Sequence, residues 1–230
     1  MYLQNIIKTV LSKTVILLLN FLIVVLTTNL WGAEGKGLIS ILLANMAIIT
    51  VFNNVLGGSS IAYLTPKIGF SKLVLPAYAW VFIVSLIGGL LFTASLNHNR
   101  IIVLFGLTLL NSLLSLNLSV FIGKENIRSH NILSILLPIF LISCTLFLNY
   151  IVGLRSVNSY FYGYFLALIF ALLISWTKVR TYLTVREITF SKEAIYRSFA
   201  YGWKNEMSNF LQFLNYRLSY YFVLYYLGLK

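Results

Sequence analysis

The chain has 230 residues, of which 60% are hydrophobic and 10% charged, and a formal net charge of +12. A soluble domain averages about 45–50% apolar and about 25% charged residues, so this much apolar surface excludes a water-soluble fold and makes a bilayer the expected solvent. There is no Asp and there are five Glu, so the positive charge reads as basic loops on one membrane face rather than as a nucleic-acid footprint.

A membrane-spanning helix needs roughly 20 apolar residues. Such runs fall at about 10–31, 38–57, 74–95, 101–122, 132–153, 158–177 and 204–228. Runs of this length predict helices, not the ten-residue alternating strands of a barrel. The first run has no A-x-A cleavage site and is long enough to span, so it is expected to be retained. The turns between runs are WGAEGKG, TPKIGFSK, NHNR, GKENIRSHN and GLRSVN, followed by a long basic stretch from Lys178 to Tyr201. With the N-terminus in the cytoplasm, the inner side holds eleven Lys and Arg and the outer loops hold Lys36, Arg100 and Arg155. That asymmetry predicts a cytoplasmic N-terminus. Cys144 is the single cysteine and lies in an apolar run, so no internal disulfide is possible.

Ser191 can cap a short helix, with Glu193 in the first turn where the helix dipole favours an acid. Ile195, Phe199 and Trp203 then share one side, and Lys192 and Arg197 lie elsewhere. This predicts an amphipathic helix on the inner membrane surface. Asn53 and Asn54 are expected near the inner end of the second span. Gly88, Gly89 and Gly106 are expected at close helix contacts, and Pro138 is expected to kink the fifth span.

The first and seventh runs are alike in outline. Each follows a basic lead and carries an Asn midway, Asn20 in one and Asn215 in the other. Each closes on a Gly, Gly32 and Gly228, which lie 196 residues apart. Six spans separate the two starts, an even number, so a repeat would be parallel. The expected fold is an all-α membrane protein: a six-helix transmembrane bundle plus the first helix of a second, parallel-repeat bundle. The divisions are 1–177 for the first bundle, 178–203 for a cytoplasmic basic linker with a surface helix, and 204–230 for the first span of a truncated second bundle.

Several stretches carry a resemblance. LWGAEGKG (Leu30–Gly37) is similar to the outer turn after span one in bacterial polysaccharide and O-antigen flippases. These belong to the multidrug/oligosaccharidyl-lipid/polysaccharide exporter superfamily. GGSSIAYLTPK (Gly57–Lys67) resembles their small-residue turn at the end of span two. FIGKENIRSHNILSILLP (Phe121–Pro138) resembles their link between spans four and five. YGWKN…LNYRLSYYFVLYYLG resembles the opening of their second half, including the Arg of NYR. Family members often carry an acid shortly after that Arg, where this chain has Ser219, so an acidic ion-coupling role there is in doubt. The resemblance implies a flippase that moves a polyprenyl-pyrophosphate-linked oligosaccharide from the inner to the outer leaflet of the bacterial inner membrane. It also implies the polysaccharide polymerase and chain-length proteins as partners.

The residues themselves place an arginine, Arg217, about 13 residues into its span, roughly 20 Å from the inner end at 1.5 Å per residue. An Arg at mid-membrane costs roughly 2.5–3.5 kcal/mol on insertion scales. A hydrated cavity with an anionic cargo accounts for it, because a guanidinium fork matches phosphate oxygens. A structural ion pair, or hydrogen bonds to neighbouring carbonyls, accounts for it too. Gln212, Asn215, Tyr216 and Asn20 complete the expected substrate-binding set. Glu206 and Lys204 are the expected ion or gate residues, with Glu206 expected to meet Lys204 or a basic residue of another span. No catalytic residue, metal site or cofactor is expected, and no P-loop is present. Two alternatives remain beside the flippase: a membrane polysaccharide polymerase or glycosyltransferase, which would present a large charged outer loop, and a drug/cation antiporter of the same fold.

Overall fold

The computed structural model describes the backbone of residues 2–92 and 101–227 and the side chains of 7–92 and 102–212. Every long element among them is a helix: α1 (Tyr2–Asn53), α2 (Gly58–Ile68), α3 (Phe70–Leu91), α4 (Ile101–Gly123), α5 (Ile127–Leu146), α6 (Asn158–Val179) and α7 (Lys192–Leu227). A π-helical turn, Phe147–Ile151, extends α5. The protein is an all-α membrane protein. Five stretches of the described residues are long and apolar enough to cross a bilayer: Ile7–Ile68, Phe70–Leu91, Ile102–Gly123, Ile127–Ile151 and Asn158–Tyr182.

At 1.5 Å per residue α1 would be about 78 Å long if straight, more than twice the roughly 30 Å of a hydrocarbon core. It is not straight. Gly32 has φ 65° and ψ −165°, a conformation that a side chain would disfavour, and it divides α1 into two limbs. Lys36 Nζ reaches back to Thr27 Oγ1 at 3.3 Å, nine residues earlier, which a continuous helix could not allow. The turn falls within WGAEGKG, where the sequence separates its first two runs. The second limb begins the second span.

The second span does not end at residue 57 as the sequence suggests. The chain unwinds over 54–57 and restarts as α2, which runs on to Ile68. Gly58 sits at φ 41°, a value that favours glycine. Asn53 and Asn54 therefore lie midway along a broken span and not near its inner end. The run of apolar residues stops at the GGSS sequence, but the helix resumes because Ile61 and Leu64 still have a core to enter.

Contacts at the two ends fix the direction of each pass. At one end, Trp31 packs edge-on against Tyr160, and Gly35 lies against Val157. At the other, Asn131 Nδ2 donates to Thr9 Oγ1, Thr184 N donates to Ser71 Oγ and Asn126 Nδ2 donates to Tyr182 Oη. This second end carries the turns at Gly69, Lys124–Asn126 and Arg180–Ser191. It gathers Lys67, Lys72, Lys124, Arg128, Lys178, Arg180, Arg186 and Lys192, and is called the basic end below. Lys36 and Arg155 lie at the opposite end. Arg100, expected there too, lies outside the described residues.

Two apolar clusters stack along the bundle. One joins Ile39, Leu42, Met46 and Ile49 of α1 to Leu104 and Leu107 of α4 and Ala167, Leu168 and Ala171 of α6. The other, toward the basic end, joins Ile61, Phe70, Leu73, Leu116, Phe121 and Leu133. The glycines expected at close contacts are there. A Cβ at Gly88 would come 2.7 Å from Ile49, one at Gly89 3.1 Å from Phe105, and one at Gly106 2.5 Å from Phe165. Pro138 is accommodated inside α5, and the departure from α-helical geometry comes later, at Phe147–Ile151.

Polar residues within the bundle pair between helices, since lipid offers no water to satisfy them. Asn53 Nδ2 donates to Ser85 Oγ at 3.0 Å and Ser112 Oγ at 2.7 Å. Asn117 accepts from Tyr78 Oη at 2.6 Å and donates to Ser175 Oγ at 2.8 Å. These ties link the second limb of α1, α3, α4 and α6.

α7 is one helix. It passes without a break through both the expected surface helix and the start of the expected seventh span. Ser191 Oγ accepts from Ala194 N at 3.3 Å, as a capping serine should, and Glu193 pairs with Arg197 at 2.6 Å.

Candidate functional site

The place where α7 meets the bundle gathers the most unusual chemistry among the described residues. Ala194, Ser198, Gly202 and Glu206 recur every four residues, so they line one face of α7. All four are buried. Small residues on one face let two helix backbones approach. At Gly202 the approach is so close that a Cβ would overlap the Val55 carbonyl oxygen. Val55 belongs to the unwound segment of the second span. The break in that span and the glycine of α7 are thus two halves of one contact.

The unwound segment leaves backbone groups without helical partners. Trp80 of α3 supplies one of them, donating from Nε1 to the Phe52 carbonyl at 2.9 Å. Beyond the break, Ser59 in the first turn of α2 faces α7. Asn205 Nδ2 donates to Ser59 Oγ at 2.8 Å, and Ser59 Oγ donates to Glu206 Oε1 over a long 3.4 Å. Asn205 Nδ2 also donates to Glu206 Oε1 at 3.1 Å, and Asn209 Nδ2 donates to Oε2 at 3.1 Å.

Glu206 is 3% exposed. An ionised carboxylate is an acceptor only, and here every partner is a donor. Among the described residues the partners are neutral, so the carboxylate is met by hydroxyl and amide dipoles and not by a cation. The first turn of α2 adds the positive end of a helix dipole near the same oxygens. The expected pairing of Glu206 with Lys204 is therefore corrected. Lys204 is exposed, two residues from both Gly202 and Glu206 and so on the far side of α7 from the buried stripe, while Glu206 points at Ser59.

Toward the basic end the seam becomes aromatic. Tyr63 of α2 stacks on Tyr201 of α7 with ring centres 4.2 Å apart and planes 3° from parallel. Lys67 Nζ lies 3.5 Å from the Tyr63 ring centre on α2. Phe199 contacts Trp80 edge-on, and on the other side of Glu206, away from the basic end, Phe52 meets Phe210.

Of the expected substrate-binding residues, Gln212 is exposed on α7 beyond the seam, and Asn20 is exposed on the first limb of α1. The side chains of Arg217, Asn215 and Tyr216 lie outside the described residues, although the α7 backbone carries all three. Sequence reasoning missed Ser59, Asn205 and Gly202 as a group. The signal was available in part: a Gly-Gly pair flanked by Asn-Asn and Ser-Ser inside an apolar run marks a break. A separate groove of about 560 Å³ lies between α3, α4 and α6, walled by Phe82, Leu113, Leu173 and Trp176. It is apolar and lies apart from the seam.

No protein-family model matches the chain, and no curated protein matches it. Among solved structures it is similar to one described as an outward-facing conformation of a multidrug resistance MATE family transporter of the MOP superfamily. The identity is 17%, the TM-score 0.66, and the likeness covers 88% of this chain and 51% of that one. The chain thus spans about half the length of that transporter, and what the two share is the fold.

Proposed function

We infer that this chain is the first half, with the opening helix of the second, of an alternating-access membrane transporter. The observation that carries this reading is the seam. A span broken at mid-length, a buried carboxylate and a small-residue helix face meet where a bundle adjoins the first helix beyond it. Broken helices at the interface of two repeats are a common site for cargo or ions in secondary transporters. A fold shared with half of a transporter supports the same reading. The basic end is assigned to the cytoplasm by the positive-inside rule, which places the N-terminus there too. The division at 177 then closes a first bundle, and the one at 203 falls inside the continuous helix α7, which carries the end of the basic linker and the start of a second bundle.

The cargo proposed is a polyprenyl-pyrophosphate-linked oligosaccharide, moved from the inner to the outer leaflet of a bacterial inner membrane. The support is the sequence resemblance at Leu30–Gly37 and Gly57–Lys67, the net positive charge, and Arg217 as a donor fork for phosphate oxygens. Gln212, Asn215, Tyr216 and Asn20 are proposed to join it, with Glu206 and Lys204 toward the inner mouth. The polymerase and chain-length proteins that act on the same glycan are the proposed partners.

A second reading has its own observation. Glu206 is a buried acid with no cation paired to it among the described residues, which suits a drug or cation antiporter. One experiment separates the two. In a deletion strain the flippase reading expects lipid-linked oligosaccharide to accumulate on the inner face. Arg217→Glu should then fail to restore surface glycan while inserting normally. Unchanged surface glycan in the deletion strain, together with lost efflux of cationic compounds, would select the antiporter.

A further inference from the structure

We propose that the seam between α2 and α7 is a gate at the basic end, closed in this structure, and that the Glu206 side chain with its hydrogen-bond partners is its latch. The proposal rests on the alternating-access reading above and adds the residues that close one side.

The two faces differ in how they could part. On the bundle side α2 is fixed. Ile61 and Leu64 are buried in the apolar cluster, and Gly123 of α4 packs so close that a Cβ there would come 2.8 Å from the Ala62 carbonyl oxygen. On the other side, among the described residues α7 touches the bundle along one side only, between Ala194 and Phe210, while Tyr196 is 76% exposed and Phe199 and Trp203 stand half-exposed. A helix held along one face can move away from a partner that is held all round.

The chemistry of the contact suits repeated opening. Its centre is a backbone approach at Gly202, which interlocks no side chain with Val55. Its polar cluster is matched to a carboxylate: Ser59, Asn205 and Asn209 all present donors to Glu206. Those groups exchange their partners for water when the seam opens into an aqueous mouth, so no donor is stranded. Charged and titratable neighbours lie on the rim. Lys67 and Tyr63 of α2 are engaged with each other and with Tyr201, Lys204 is exposed, and Glu193 is paired with Arg197. Replacing the carboxylate by an amide turns one acceptor oxygen into a donor facing donors. The seam then loses its match without losing volume.

The test uses the full-length protein in native membranes, with Cys144→Ser and any cysteine beyond residue 230 replaced by serine as background. Tyr63→Cys and Tyr201→Cys are combined and bridged with a short, cleavable bifunctional thiol reagent. The expected result is efficient bridging, loss of transport and recovery on cleavage. Adding Glu206→Gln should slow bridging by roughly tenfold, since losing the match between this acceptor and its three donors carries about that much discrimination. Bridging that leaves transport intact would make the seam a static contact and overturn the gate. Bridging at an unchanged rate in Glu206→Gln would remove Glu206 as the latch. A bridge that blocks cation efflux and not glycan export supports the gate while rejecting the flippase cargo, so the two readings fail separately.

Discussion

The contact between α5 and α6 and the contact between α2 and α7 both turn on a glycine, and they do opposite things with it. Gly163 of α6 backs onto Thr145, where a Cβ would come 2.7 Å from Oγ1 and 2.9 Å from the backbone nitrogen. Around it Leu141, Ala167 and Leu168 are buried, and Phe140 meets Phe170 at 5.9 Å. Gly202 also brings two backbones together, but its surroundings are a carboxyl group, two amides, a serine and half-exposed rings. Lipid tails are as apolar as leucine, so packing density and not hydrophobicity holds membrane helices together. The α5–α6 face is interlocked over its length, and the α2–α7 seam is closed by one backbone contact, a polar cluster and a stacked pair of tyrosines. The first is built to stay and the second to come apart.

Crowding the two glycines in turn breaks this comparison most severely. Gly163→Leu overpacks an interlocked face, for which about 3 kcal/mol of lost stability is expected. A marked fall in Tm of the detergent-solubilised protein would report it. Gly202→Leu should leave the bundle close to its original Tm while wedging the seam open. A cysteine placed at Ser198, which is buried in the seam, should then react much faster with a thiol reagent applied from the basic side. Equal Tm losses at both sites would mean the seam is part of the fixed core. Smaller is Tyr63→Leu, which removes a stacked ring and the face offered to Lys67. The loss is about 1 kcal/mol, read as several-fold faster labelling at the same cysteine. Smallest is Asn117→Ala inside the fixed bundle. Interhelical hydrogen bonds in membranes average about 0.6 kcal/mol, so a slight fall in Tm with no change in labelling is expected.

The spans were legible because their lengths are written along the chain. The first run, the Gly32 turn after it and the runs on α3 to α6 appear where the apolar stretches put them. The close-packing roles of Gly88, Gly89 and Gly106 were legible too, since a glycine in a long apolar helix has few other uses. The second span was misjudged because an apolar run stops at Gly57 while the helix restarts one residue later. Hydropathy counts residues and does not know that Ile61 and Leu64 remain buried beyond a break. Glu206 could be singled out as an acid near a membrane helix, but its partner could not. Lys204 is close in sequence, whereas Ser59 is 147 residues away and adjacent in space.

By itself the sequence determined an all-helical chain, its passes and the gathering of cations at one end. Bilayer thickness is a one-dimensional constraint that every span must meet, and backbone polar groups in lipid leave the helix as the answer. Only the tertiary structure decided which face of α7 is buried, that Gly202 meets a broken span, and that Glu206 is held by neutral donors. Lipid and helix interior are equally apolar, so composition around a membrane helix carries little contrast between its lipid face and its protein face. Packing alone chooses between them.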